Sequence, residues 1–277
     1  MSKGNPVSTT PELPPDWEVP TFTVQSFAPR KTRFCIGIPI INEGERIRKQ
    51  LQQMHDLGLH DLADIVIADG GSIDGSTDRD RLVPVGVRTL LTKTGKGKLS
   101  AQLRMFFAYA LLEGYEGMVI IDGNNKDGVE AIPHFLVALE QGWDYVQGSR
   151  YIPGGVEKNT PLARKLAVVL LHAPVISLAA GFRYTDTTNG FRAVSRQFLL
   201  DPRLQPFRHV FETYNLHYYL SVMAPKLGYR VKELPVSRVY PAQGPTPSKI
   251  KGLKGELHIL SLLFKTALGF YRPASRH

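Results

Sequence analysis

Two short polar segments carry the side chains best suited to chemistry. Asp69-Gly70-Gly71-Ser72 and Asp122-Gly123-Asn124 each follow an apolar run, at residues 65–68 and 118–121. A carboxylate beside glycines can accept hydrogen bonds from a ribose or a base while the backbone approaches closely. Asp122, with a second oxygen donor two residues on in Asn124, can hold Mg2+ or Mn2+ against a diphosphate. Both segments are also ordinary turn sequences, so each is a weak signal by itself. Gly148-Ser149-Arg150, with Gly154-Gly155 shortly after, places an arginine in a glycine-rich loop suited to bidentate phosphate binding. Lys93, Lys96 and Lys98, interleaved with Gly95 and Gly97, offer another anion site. The spacing is not that of a Walker loop, and no dinucleotide fingerprint follows the first apolar run.

The elements that must position these residues alternate. Residues 34–41, 65–68, 87–92, 118–121 and 145–146 read as short buried strands. Between them, Ile47, Leu51 and Met54 form one helical stripe; Leu99, Leu103, Phe106, Phe107 and Ala110 form another. Asn42 with Glu45 resembles a capping box for the first helix. Such alternation implies an α/β fold with a parallel, doubly wound sheet, in which ligands bind at the carboxyl ends of the strands. Three of those ends carry the Asp-rich or Gly-rich segments. The second half has a different texture: an apolar segment 166–182, a polar loop 185–189, a helix from about Phe211 to Leu227, an extended stretch 230–240 and a final leucine-bearing helix.

Bulk properties narrow the partners. The chain has 277 residues and a formal charge of +9. From Lys226 to His277, ten Lys or Arg face two Glu, which leaves +8 in that last fifth. The skew points to an anionic partner such as a diphosphate, a membrane surface or nucleic acid. Nucleic acid is disfavoured, because the aromatics of this stretch are scattered among leucines instead of alternating with the cations. Cys35 is the single cysteine; set in an apolar run, it reads as a buried hydrophobe, and a reducing, cytoplasmic compartment fits. Residues 1–31 lack the apolar core of a signal peptide and read as a flexible, Pro-rich arm. The segment 166–182 reads as a buried or interfacial helix, short of a comfortable membrane span. The expected organisation is an arm (1–31), one catalytic domain (32–250) and a basic amphipathic extension (251–277).

Taken in order, IPIINEGERI, IADGGSIDGSTD, GKGKLSAQLRMFFAYAL, VIIDGNNKDG, GSRYIPGG, DTTNGFRAVSR and GPTPSKI resemble family 2 glycosyltransferases of the GT-A fold. The order and spacing, from about Phe34 to Ile250, are similar to those of the dolichol-phosphate (polyprenyl-phosphate) mannosyltransferase branch. The resemblance implies a UDP- or GDP-sugar donor, an inverting displacement and a divalent cation, Mg2+ or Mn2+. It implies that Pro39, Asn42, Glu43, Asp69, Gly71, Lys98, Gly123 and Lys249 contact the nucleotide-sugar. Asp122 and Asn124 would bind metal, and Arg150 and Arg164 would hold an acceptor phosphate. Asn124 stands where the family has a second Asp, and Lys126 where it has Gln; Lys126 can itself pair with the diphosphate. Val168 replaces an expected Ser after Arg164.

Two acceptors remain open. A polyprenyl phosphate is already ionised and needs no general base, whereas a glycan hydroxyl does. Glu212 is the candidate base, or else it favours the first turn of its helix. The basic tail, the arginine pair and segment 166–182 suit a lipid phosphate and a peripheral position on the cytoplasmic face of a membrane. A catalytically silent relative is a further reading, while a sugar nucleotidyltransferase would need a Gly-rich signature where Ile41-Asn42-Glu43-Gly44 stands.

Overall fold

Phe34–Ile40 forms the strand β2, every residue of which is buried. Its β-branched, apolar composition suits a central parallel strand covered on both faces. A computed structural model of the chain describes residues 12–241 and 252–273, apart from the Leu253 side chain. Lys249, assigned above to the donor, lies outside the described residues.

The chain divides into two compact units, Met1–Asn125 with Phe207–Thr213, and Lys126–Pro206 with Tyr214–His277. In the first, five strands run in the order β1 (Phe22–Ser26), β4 (Val87–Lys93), β3 (Asp64–Asp69), β2, β5 (Gly117–Ile120). All neighbours are parallel except β1, which runs antiparallel to β4 with Phe22 opposite Lys93. The helices Glu45–Asp56 and Leu99–Leu112 supply the crossovers on this sheet. Ile47, Leu51 and Met54 are buried as expected. Residues 100–111 are buried throughout, and the helix sits so close to β2 that a Cβ on Gly37 would meet the Phe106 ring at 2.3 Å. Gln102, buried within this helix, donates to the carbonyls of Ile40 (2.8 Å) and Ala68 (2.9 Å). It thereby satisfies backbone acceptors at the ends of β2 and β3, just where the site loops leave the sheet. Cys35 is fully buried and burial pushes its thiol up, consistent with a packing role.

In the second unit β6 (Tyr145–Ser149) lies between β8 (Arg192–Ser195), antiparallel, and β9 (Val231–Pro235), parallel. A separate parallel pair joins β7 (Val156–Lys158) to β10 (Ser237–Val239). The helix Leu162–Ala180 contains a π turn at Val168–His172 and packs on the helix Asn215–Lys226. Fully buried Arg192 donates to the carbonyls of Asn189 (3.0 Å), Thr187 (2.8 Å) and His217 (2.7 Å), which fixes the loop 187–189 to this helix.

Several expectations change. Residues 22–26 of the supposed arm are a strand, because Phe22 and Val24 are buried once β4 pairs with them. No capping box starts the first helix: its N-cap is Gly44, and the Asn42 side chain is used elsewhere. The helix expected from Phe211 begins at Asn215. The helix Gly252–Ala267 is packed on Ala173–Ala180 and Asn215–Lys226 through Ile259, Leu262 and Leu263, and so belongs to the second unit. The helix expected at 166–182 starts at Leu162, which makes it long and apolar enough to cross a membrane by length and composition.

Candidate functional site

The donor-type residues of the first unit gather on loops leaving β2, β3 and β5. After β2, Asn42 adopts a left-handed backbone, φ 50°. Its amide donates to Ser72 Oγ (2.9 Å), and its Oδ1 accepts from the Ile73 amide (2.9 Å). Gly44 donates to Ser76 Oγ (2.9 Å), and Ser76 in turn donates to Asp74, whose carboxyl is held below its ordinary value. Burial works against that shift, and hydrogen bonds from Ser76 and Gly44 outweigh it. The loops after β2 and β3 are thus stitched into one body. Glu43 is paired with Arg46 at 2.8 Å, and Pro39 is buried within β2.

Asp69 is almost fully buried. Its carboxylate accepts from the Gly71 amide (2.9 Å), the Ser72 amide (3.0 Å) and Ser72 Oγ (2.6 Å). Its role in this structure is to shape the 70–76 turn and present Gly71 and its neighbours, whereas the sequence suggested an oxygen aimed directly at the nucleotide. Gly71 needs its positive φ of 97°, which a side chain would resist. Nearby, Lys93 donates to the Gly95 carbonyl at 2.7 Å, and burial lowers its ammonium. Lys98 is exposed at the N-cap of the helix Leu99–Leu112, and its amide donates to the Glu212 carbonyl (2.8 Å). Glu212 is exposed and lies before the helix it was expected to open.

At the end of β5, Asp122 and Asn124 are half-buried and adjacent, with Asn124 Nδ2 donating to Asp122 Oδ2 at 3.3 Å. Gly123 between them is sterically required: a Cβ there would meet Ile40 Cγ2 at 2.4 Å. Asn125, also left-handed (φ 55°), donates from its amide to buried Gln50 (2.9 Å). A carboxylate and an amide oxygen are hard donors that suit Mg2+ or Mn2+ once the Asn124 amide is turned end for end. Among the described residues no group of three or more His, Cys, Asp or Glu gathers, so the remaining coordination would come from phosphate and water.

The second unit gathers cations around Tyr240. Lys126 Nζ lies 5.0 Å from the Tyr240 ring centroid, and Arg164 and Arg238 each place Cζ at 5.7 Å. Arg164 Nη1 donates to the Tyr240 hydroxyl (3.3 Å). Burial pushes the Tyr240 phenol up, but Arg238, Arg164 and Lys126 more than offset this and hold it at about 8. Arg238 also pairs with buried Asp127. The β7–β10 pair sets this arrangement, since Tyr240 donates from its amide to the Lys158 carbonyl (2.9 Å).

Arg150 behaves differently from expectation. Its Nε and Nη2 donate to the two oxygens of Asp186 at 2.6 and 3.0 Å, and Nη2 also donates to Thr188 Oγ1 (3.0 Å). The pair is buried, with side-chain exposures of 2% and 0%. Arg150 therefore anchors the polar loop, and Arg164 is the more accessible of the two arginines. The sequence places Ser72, Ser76 and Asp186 within the quoted segments but assigns none of them a role, and it does not single out Tyr240. Each gains its role from a partner distant in the chain, Asn42 for Ser72, Gly44 for Ser76, Arg150 for Asp186 and Arg164 for Tyr240.

No family model matches the chain. It is 29% identical over 172 residues to a polyprenol monophosphomannose synthase of Mycolicibacterium smegmatis, covering 60% of this chain and 63% of the relative. It is 28% identical over 204 residues to an undecaprenyl-phosphate mannosyltransferase of Micrococcus luteus, covering 73% and 82%. A dolichol-phosphate mannosyltransferase of Pyrococcus furiosus is 26% identical over 63% of this chain and 49% of its own length. The chain thus spans under two thirds of the first of these relatives and about half of the third. Among solved structures, glucosyl-3-phosphoglycerate synthase from Mycobacterium tuberculosis, in complex with Mn2+, UDP and glucosyl-3-phosphoglycerate, superposes with a TM-score of 0.58 at 15% identity, covering 89% and 82%. The same synthase in complex with phosphoglyceric acid gives 0.59 at 16%. The fold is accordingly the GT-A glycosyltransferase fold, and the sequence is similar to that of the polyprenyl-phosphate mannosyltransferases.

Proposed function

We propose that the protein is an inverting glycosyltransferase that moves a hexosyl group from a nucleotide-sugar to the phosphate of a polyprenyl phosphate. The observation that carries this reading is the cation cluster of Lys126, Arg164 and Arg238 around Tyr240. Such a cluster suits a phosphate acceptor, and a phosphate needs no base. The three mannosyltransferase relatives support the same acceptor class. Glu212, the candidate base for a hydroxyl acceptor, has no feature in its favour beyond exposure.

In this reading Asn42, Glu43, Gly71, Lys98 and Gly123 contact the donor, with Pro39 and Asp69 shaping their loops. A phosphate oxygen of the acceptor attacks the anomeric carbon as the bond from that carbon to the nucleotide diphosphate breaks. The electron pair leaves with the diphosphate and configuration inverts. A divalent cation, held by Asp122 and Asn124, would neutralise charge on the leaving group when bound. Lys126 and Arg164 bind the acceptor phosphate in its ionised form, so its oxygen needs no general base. The acceptor is a membrane lipid, so the protein acts at a membrane surface, on the cytoplasmic face.

Incubation with UDP- and GDP-sugars and a short-chain polyprenyl phosphate, read by mass spectrometry, tests the reaction. A glycosylated lipid phosphate that disappears in Asp122→Ala and Arg164→Ala is the expected outcome. Failure of every donor to turn over would favour a catalytically silent protein.

A further inference from the structure

The helix Leu162–Ala180 turns an apolar face outward. Leu162, Leu166, Leu170, Pro174 and Leu178 recur at every fourth position and are all exposed, Leu170 at 69% and Leu178 at 88%. Val168, His172, Ala173, Ile176 and Ala180 are buried on the inward side, where the Tyr218 hydroxyl lies 3.1 Å from His172 Nδ1. In a regular α-helix an every-fourth-residue row drifts around the axis by about 40° per step. The π turn at Val168–His172 has more residues per turn and winds the row back, so the leucines stay together.

The neighbouring helix Gly252–Ala267 repeats the pattern. Ile259, Leu262 and Leu263 point inward, while Leu257, Phe264 and then Leu268 and Phe270 are exposed, the last two at 73% and 71%. Only 22% of the most apolar stretch of Leu162–Ala180 is buried, which is not the signature of a core helix. The helix is nonetheless packed along one side on Asn215–Lys226 and Gly252–Ala267, which leaves the leucine row as its outward face. Arg183, Lys254, Lys265 and Arg272 are exposed on or beside these two helices, with Glu256 among them.

We propose that these two helices form a docking face for an anionic lipid bilayer. The leucines and phenylalanines enter the boundary of the acyl chains, and the lysines and arginines meet anionic headgroups. This deepens the reading above by naming the surface through which the protein reaches a lipid-borne acceptor, and it rests on that reading only for its purpose. Its test is independent of turnover.

Flotation of the full chain with vesicles provides the test, using phosphatidylcholine alone or phosphatidylcholine mixed with phosphatidylglycerol. The wild-type protein is expected to bind the mixed vesicles and to lose most of that binding on pure phosphatidylcholine or in high salt. Leu170→Glu combined with Leu178→Glu is expected to weaken binding roughly tenfold or more. Leu57→Glu, at an exposed leucine of the other unit, should bind as the wild type does, and both variants should keep the wild-type circular dichroism. Undiminished binding by the double variant would overturn the proposal. So would a protein that ignores both vesicle types yet self-associates, with the double variant running as a monomer. Vesicle binding without glycosyl transfer would support the face while counting against the reaction.

Discussion

Arg150 and Asp186 form a buried, two-point ion pair, with Nε and Nη2 reaching separate carboxylate oxygens at 2.6 and 3.0 Å. Removing one partner strands the other charge in a dry site, which costs about 3–5 kcal/mol. Asp186→Ala is therefore expected to lower unfolding stability by that amount in urea titrations. A double replacement by well-packed apolar residues, Arg150→Met with Asp186→Leu, should recover much of the loss. If Arg150 instead serves only the acceptor, Asp186→Ala will leave stability nearly unchanged.

Asp69 builds the loop 70–76 through three hydrogen bonds from Gly71 and Ser72. Asp69→Ala removes the acceptor for all three, and the turn that presents Gly71 loses its shape. Calorimetric titration with UDP and GDP should show nucleotide affinity falling about tenfold or more, roughly 1.4 kcal/mol. Ser72→Ala, which removes one donor to Asp69 and the acceptor for the Asn42 amide, should give a smaller loss in the same direction.

The Tyr240 phenol, held at about 8 by its neighbouring cations, makes stability depend on pH. An ordinary tyrosine titrates near 10, so across the interval between the two values the folded state has released a proton that the unfolded chain retains. The resulting stabilisation is fully present above the unfolded value and is lost as pH falls through about 8. The thermal midpoint of the wild type minus that of Tyr240→Phe should therefore rise between these pH values. Tyrosinate absorbance should show one phenol titrating early, and only in the wild type.

Gly123 separates Asp122 from Asn124 with no room for a methyl group, the nearest atom being Ile40 Cγ2 at 2.4 Å from a Cβ. Gly123→Ala is expected to cost about 1–3 kcal/mol through overpacking. It should also displace Asp122 and lower turnover. A variant with wild-type stability and turnover would show that the β5 end is looser than described.

How far the sequence reaches is clearest in the contrast between β2 and β1. Phe34–Ile40 declares itself as a buried strand because every residue is apolar or small, while Phe22–Ser26 becomes a strand only by pairing with β4, some 65 residues on. Asp122 and Asn124 were legible because local spacing alone brings them together. Arg150 was legible as an arginine in a glycine loop, but its commitment to Asp186 depends on a loop 36 residues away. Glu212 was misplaced for a related reason. The Lys98 amide fixes the Glu212 backbone carbonyl, and this holds the residue short of the helix that local propensity would have extended to it.

Phosphate acceptance is tested by offering the protein two acceptors that differ in one group, polyprenyl phosphate and the corresponding polyprenol, with the same nucleotide-sugar. Products are read by mass spectrometry. Transfer to the phosphate alone is expected, retained in Glu212→Gln and lost in Arg164→Ala. Transfer to the polyprenol hydroxyl that disappears in Glu212→Gln would overturn the phosphate-acceptor reaction.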